Sequence, residues 1–138
     1  MIKISKGLDL PISGKPDISI TDEPKISSVS LLANDFVGMK PTMLVKENDE
    51  VKVGEKLFED KKNPGIFFTA PAGGLIKSIN RGDKRKFLSI EIEISQNEEF
   101  IDFDMGSSQD EIKNTLINSG LWNVFRTRPF NRTPKISS

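Results

Sequence analysis

A small, mainly β sandwich or barrel, closed by one late helix, is the fold class that three features of the sequence predict. Apolar residues come in short runs with period two, ten glycines and eight prolines punctuate those runs, and a single stretch near the end has helical spacing behind a cap motif. A length of 138 residues suits one core with an appended segment better than two full domains.

Taken in order, Ile2, Ile4, Leu8 and Leu10 alternate up to Pro11 and Gly14, which predicts a strand running into a loop. Val29, Leu31 and Leu32 predict a second strand. Thr42–Val45 is a short β-prone run that ends at Lys46–Glu50, where Asn48 and Asp49 favour a turn. Val51, Val53, Leu57 and Phe58 continue in short pieces around Gly54, and Ile66–Thr69 and Gly74–Ile76 flank Ala70-Pro71-Ala72-Gly73. The cleanest alternation is Phe87–Ser95, which predicts Leu88, Ile90, Ile92 and Ile94 on a buried face and Ser89, Glu91, Glu93 and Ser95 on a wet one. Ser108-Gln109-Asp110-Glu111 matches a capping box, Ile112, Leu116 and Ile117 form one helical stripe, and Gly120 is the expected stop. After Phe125 the prolines at 129 and 134 and the lack of any period predict an extended tail leading out of the domain.

Composition removes several chemistries. With no Cys and no His, the chain has no disulfide, no thiolate for an iron–sulfur cluster, no Ser-His-Asp triad and none of the usual zinc ligand sets. Neither phosphate-cradling glycine motif occurs. No strictly apolar run exceeds three residues, as at Ile66-Phe67-Phe68, against the roughly 20 that a spanning helix needs. No basic segment leads into an apolar stretch at the start, so the expected setting is cytoplasmic, without a signal peptide. Twenty bases balance twenty acids, which makes no case for nucleic acid, but the distribution is uneven. Eight acids and no base lie between Glu91 and Glu111, and five bases and no acid follow from Ile112 onward. The plain reading is a solvated acidic face followed by a basic tail, and the sharper one is a tail that docks on an anionic surface. Asp102 and Asp104 share one strand face with no third ligand in view, which is too little for a cation site.

From Val45 to Ile79 the order of features resembles the biotinyl/lipoyl-type barrel-sandwich hybrid: an Asn48-Asp49 turn, the Val51-Lys52-Val53-Gly54 step, a hairpin, then the Ala70-Pro71-Ala72-Gly73-Gly74 corner. Gly54 and Gly73 or Gly74 would take positive-φ corners, and Val51, Leu57, Leu75 and Ile79 would fill the narrow interior. Carrier domains of this fold present a modifiable lysine on the hairpin. Asp60-Lys61 matches the start of the lipoate signal, but Lys62 replaces its alanine and Asn63-Pro64-Gly65 lengthens the turn, so a carrier modified at Lys61 or Lys62 is the alternative reading.

The blocks Ile2–Gly14, Asp35–Met43, Phe58–Gly65, Phe68–Ala72, Ile79–Gly82, Ser119–Trp122 and Arg126–Phe130 together resemble the start of the A subunits of the sodium-translocating NADH:quinone oxidoreductases (Na+-NQR). The C subunit of the Rnf electron-transport complex shares the barrel-sandwich element, but the cysteine motifs it carries downstream are not present here. The resemblance implies a barrel-sandwich domain at 1–105, a helical segment at 106–125 and a tail at 126–138 that leads to domains absent from this chain. It further implies a non-catalytic component of the complex, peripheral to the inner (cell) membrane on its cytoplasmic face and docked on the other subunits, membrane subunits included. That respiratory-chain translocase couples NADH oxidation by ubiquinone to sodium export. No cofactor is expected in this chain; NADH, the flavins and the iron–sulfur cluster belong to other subunits. The family's association with ubiquinone marks Phe36, Met39, Lys40, Met43 and Phe130 as residues expected near quinone. The plainer reading of the two methionines is a core-packing role at a strand-leading turn.

Overall fold

A computed structural model describes residues 13–20 and 25–136. The strand expected at Ile2–Leu10 lies outside the described residues. Among those described, seven strands form two antiparallel sheets. In the first, β1 (Ser28–Leu32), β7 (Phe87–Ile94), β6 (Gly74–Arg81) and β3 (Glu50–Val51) lie side by side in that order; the second has the order β2 (Pro41–Met43), β4 (Lys56–Asp60), β5 (Phe67–Thr69). Gly54 takes a φ of 86°, as a corner requires. Of the two candidates at the next corner, Gly74 is the constrained one: it pairs with Val51 and Ile94, and a Cβ there would run into the Glu93 carbonyl oxygen.

The long strands β6 and β7 depart from simple alternation at two places, and the departures decide what is inside. Asn80 pairs with Ser89 and Arg81 with Phe87, so Leu88 is the extra residue of a bulge. The bulge turns Phe87 into the core and leaves Leu88 44% exposed beside Gly82. The expected buried face of Leu88, Ile90, Ile92 and Ile94 is therefore corrected to Phe87, Ile90 and Ile92, with Ile94 only half-buried. In β6 the pairs Ile76–Ile92 and Ser78–Glu91 leave Lys77 unmatched. That second bulge lets Ile76 and Ile79, three residues apart, meet the same core, and Ile76 fills the place expected of Leu75, which is half-buried.

Between the sheets four phenylalanines make one aromatic cluster. Phe58 of β4 stacks on Phe68 of β5 with centroids 4.6 Å apart, Phe87 of β7 meets Phe58 edge-on at 5.2 Å, and Phe36 from the β1–β2 loop meets Phe68 edge-on at 4.5 Å. Leu57, Ile66, Ile76, Ile90 and Ile92 close around them.

The helix α1 spans Gln109–Asn118. Its cap is the expected one: Ser108 Oγ accepts from the Glu111 amide at 3.3 Å, and Glu111 Oε2 accepts from the Ser107 and Ser108 amides at 3.0 Å each. Gly120, at φ 80°, ends it, and a short 3-10 turn follows at Leu121–Val124. No residue of α1 is fully buried. The segment instead covers the edge of β5, where Thr69 Oγ1 donates to the Ser119 carbonyl at 3.0 Å and Asn123 Nδ2 donates to the Phe67 carbonyl at 3.2 Å. Beyond Phe125 the chain is irregular, as expected, but it does not run outward. It reverses through a cis Arg128–Pro129 peptide, with the Thr127 amide donating to the Arg132 carbonyl at 2.7 Å. On the return leg the Pro134 carbonyl accepts from Trp122 Nε1 at 3.1 Å and from Asn63 Nδ2 at 3.2 Å, while Ile136 packs against the core. Partial burial of Ile136 and Trp122 against the core, with their polar neighbours satisfied, holds this leg on the domain.

Phe68 is fully buried and touches both Phe58 and Phe36, so Phe68→Ala should cost about 3–5 kcal/mol of unfolding free energy, a large share of the roughly 5–15 kcal/mol of a whole domain. An unchanged urea midpoint would refute the central placing of that ring. The amides of Ser108 and Ser107, with the Ser108 side chain, hold the Glu111 carboxyl below the usual range. Its contribution to helix stability is therefore complete above the unfolded-chain value of about 4.3 and is lost as pH falls through the lower folded value. Amide-exchange protection of Glu111–Leu116 should show that acid loss, and Glu111→Gln should flatten it.

Candidate functional site

The loop between β1 and β2 is where the resemblance puts function, and its backbone is pinned at both ends. A turn of 3-10 helix at Ala33–Asp35 leads into Phe36, whose amide donates to the Ala33 carbonyl at 3.2 Å, and the Met39 amide donates to the Phe36 carbonyl at 3.2 Å. Asp60, a polar side chain buried at the end of β4, receives the amides of Lys40 and Lys62 on one oxygen at 3.0 Å each, and the Lys61 amide donates to the Lys40 carbonyl at 2.8 Å. The loop is thus tied to the β4–β5 turn through one buried carboxylate. Phe36 lies between Phe68 and the Arg126 guanidinium, which is centred 5.3 Å from its ring; Arg126 also reaches the Asp35 and Asn123 carbonyls.

Two clefts flank this loop. The larger, of about 480 Å³, lies between it and the β6–β7 hairpin and has Phe36, Val37, Met39 and Phe87 as its apolar wall. The smaller, of about 190 Å³, lies between the loop and the returning C-terminal leg at Arg132–Lys135. Phe36 and Met39 line both, and Lys40 lines the larger. Met43 packs against the core and lines neither, and Phe130, 70% exposed on the reversing turn, also lies outside both. Three of the five residues expected near quinone are therefore brought together and two are not.

The opposite wall of the larger cleft is absent from the sequence-based expectations: it consists of Arg81, Lys84, Arg85 and Lys86 from the hairpin. Its signal in the sequence is the basic run Lys84-Arg85-Lys86. Of the ionisable side chains lining this cleft, all are cationic, and no nucleophile paired with a general base is among them. An apolar wall facing a cationic one can hold and orient an amphipathic ligand. Two ion pairs occur among the described residues, Lys52–Glu99 at 2.6 Å and Lys77–Glu91 at 3.0 Å, and neither lines these clefts. In each, the hydrogen bond between the partners lowers the carboxyl and raises the ammonium relative to their ordinary values.

The hairpin that a carrier would modify is the β4–β5 turn. Lys61 and Lys62 are exposed there, but the turn is held: the Gly65 amide donates to Glu59 Oε1 at 2.7 Å, and Asn63 is tied to Pro134.

Residues 2–95 match the family model described as the NqrA N-terminal barrel-sandwich hybrid domain, so the two-sheet architecture is the barrel-sandwich hybrid that the sequence predicts. Residues 107–138 match the model described as the NqrA second alpha/beta domain. Among curated relatives, the A subunit of the Na(+)-translocating NADH-quinone reductase of Yersinia pseudotuberculosis is 51% identical over 97% of this chain and 31% of its own length. The protein of that name from Neisseria meningitidis serogroup B is 48% identical over 100% of this chain and 32% of its own length, and that from Photorhabdus laumondii is 51% identical over 97% and 31%. The chain spans about a third of the length of these relatives. It belongs to the family of the A subunits of Na(+)-translocating NADH-quinone reductases, and the part it matches is the N-terminal portion.

Proposed function

We propose that this chain is the docking body of the A subunit in a sodium-translocating NADH–quinone reductase. In this reading residues 1–105 form the docking domain, lie at the cytoplasmic face of the cell membrane, steady the membrane subunits and carry no electrons. NADH oxidation by ubiquinone, coupled to sodium export, then belongs to the assembled complex, with the flavins and the iron–sulfur cluster in other subunits. The observation that carries the proposal is 51% identity to a protein of that name across 97% of the chain. The inventory supports it: a chain without Cys or His offers neither thiolate nor imidazole to a redox centre. No helix among the described residues is long and apolar enough to cross a membrane, so on this reading other subunits supply the span. Deleting residues 1–105 from the full-length protein should abolish co-purification of the membrane subunits. Recovery of an intact sodium-pumping complex without them would refute the docking role.

The same reading places quinone at the Phe36–Met43 loop. Phe36 and Met39 offer an apolar wall, and Lys40, exposed at the rim, can donate to a quinone carbonyl. Loss of one charge-assisted hydrogen bond, about 1.5–3 kcal/mol, corresponds to a tenfold or larger fall in affinity. Lys40→Gln in the whole complex should therefore raise the quinone KM about tenfold or more while complex yield and kcat hold. An unmoved KM would remove Lys40 from the quinone site and leave the docking role standing.

The exposed Lys61, following Asp60 on a hairpin, favours one other reading, a lipoyl- or biotinyl-type carrier. The held turn weighs against it, because an attaching enzyme must grip that hairpin. Intact mass after expression in cells supplied with lipoate and biotin should be unshifted, and an added lipoyl or biotinyl mass on Lys61 or Lys62 would establish the carrier.

A further inference from the structure

The ionisable side chains that line the larger cleft are all cationic. Lys40, Lys62, Arg81, Lys84, Arg85 and Lys86 all line it, yet they come from three separate places in the chain: the β1–β2 loop, the β4–β5 turn and the β6–β7 hairpin. None of them is in an ion pair among the described residues. Asp60, at the end of β4, spends one oxygen on the two backbone amides of Lys40 and Lys62. In a chain whose net charge is zero, folding has gathered like charges from distant positions around one concavity of about 480 Å³.

The hairpin adds a second, independent observation. Lys84 at φ 55° and Arg85 at φ 61° are consecutive left-handed residues, the conformation of a tight hairpin turn for which Asn-Gly is the relaxed choice. The turn is closed by the Gly82 amide on the Lys86 carbonyl at 2.8 Å, and Arg81 Nη1 reaches the Arg85 carbonyl at 3.4 Å. Long cationic side chains thus occupy positions where the backbone disfavours them, on the wall that faces the Phe36–Lys40 loop. Strained backbone of this kind marks a place where side-chain chemistry outweighs local stability.

We infer that this cleft is a binding site for a phosphate-bearing anion, whose phosphate is held by Lys40, Lys62, Lys84, Arg85 and Lys86 and whose apolar part rests on Phe36, Val37 and Met39. Guanidinium and ammonium donors grouped this way suit a multiply charged oxyanion, and the apolar wall suits the remainder of an amphipathic molecule. The inference goes beyond the docking reading and does not depend on it, and because the ligand occupies Phe36, Met39 and Lys40 it competes there with quinone.

The test is titration of the 138-residue chain with pyrophosphate, followed by amide chemical shifts. Saturable shifts confined to Val37–Lys40, Lys62 and Arg81–Phe87 are expected. The double variant Lys84→Asn, Arg85→Gly should raise the melting temperature, because it relaxes the turn, while weakening pyrophosphate about tenfold or more through the loss of two charge-assisted contacts. Lys62→Gln, on the opposite wall, should weaken it with the melting temperature unchanged. Phosphatidylglycerol/phosphatidylcholine vesicles give the other arm: vesicle binding displaced by pyrophosphate means that a lipid phosphate uses the same cleft. Vesicle binding that pyrophosphate leaves untouched, or shifts spread equally over Lys46, Lys52 and Lys56, would overturn the cleft as a phosphate site.

Discussion

The contact on which the rest of the structure depends is the packing of Phe58 against Phe68, with Phe87 on one side and Phe36 on the other. Each ring comes from a different element, so one cluster joins the first sheet, strands β4 and β5 of the second and the β1–β2 loop. A chain with 36% hydrophobic residues has limited apolar surface to bury, and large aromatic side chains supply the most contact per residue. The position of Phe36 follows from the core and not from the loop's own sequence. The edge of Phe68 and the guanidinium of Arg126 fix its ring, and the loop on either side is carried with it.

The two bulges explain why a sandwich this small can both close and expose a basic wall. Without the extra residue at Leu88, Phe87 would face solvent and Leu88 would fall against the core, because a one-residue change of phase moves every side chain to the other face. The bulge also ends the regular pairing just where the hairpin turns, and so the basic residues 84–86 stand off the sheet and reach the cleft. Lys77 does the converse in β6, where the added residue returns Ile79 to the core after Ile76.

The C-terminal segment shows how an element with no buried residue of its own is still held in place. Helix α1 and the turn after it cover the open edge of β5 with side-chain hydrogen bonds, and the returning leg to Ile136 locks the β4–β5 turn through Asn63. The same leg forms the far wall of the smaller cleft, so the region matching a second domain helps to shape the surroundings of the loop that belongs to the first.

What was legible in the sequence is what local chemistry decides. Period-two alternation in Val29–Leu32 and Phe87–Ser95 identified strands because adjacent side chains must point to opposite faces. Ser108 and Glu111 identified a helix start because a capping box is completed within four residues. The motif order from Asn48 to Gly74 was enough for the barrel-sandwich hybrid, since its corners need glycine where the backbone turns or approaches closely. The β1–β2 loop was legible as a stretch of chain, but the clefts beside it were not. Which of its residues face a cleft depends on Phe68, Asp60 and Arg126, which lie 20 or more positions away. The inner face of β7 and the gathering of Lys40, Lys62 and Lys84–Lys86 around one concavity were set by tertiary structure alone. Bulge phase follows from pairing between strands, and electrostatic convergence from the distance between segments in space, and neither quantity is a property of neighbouring residues in the chain.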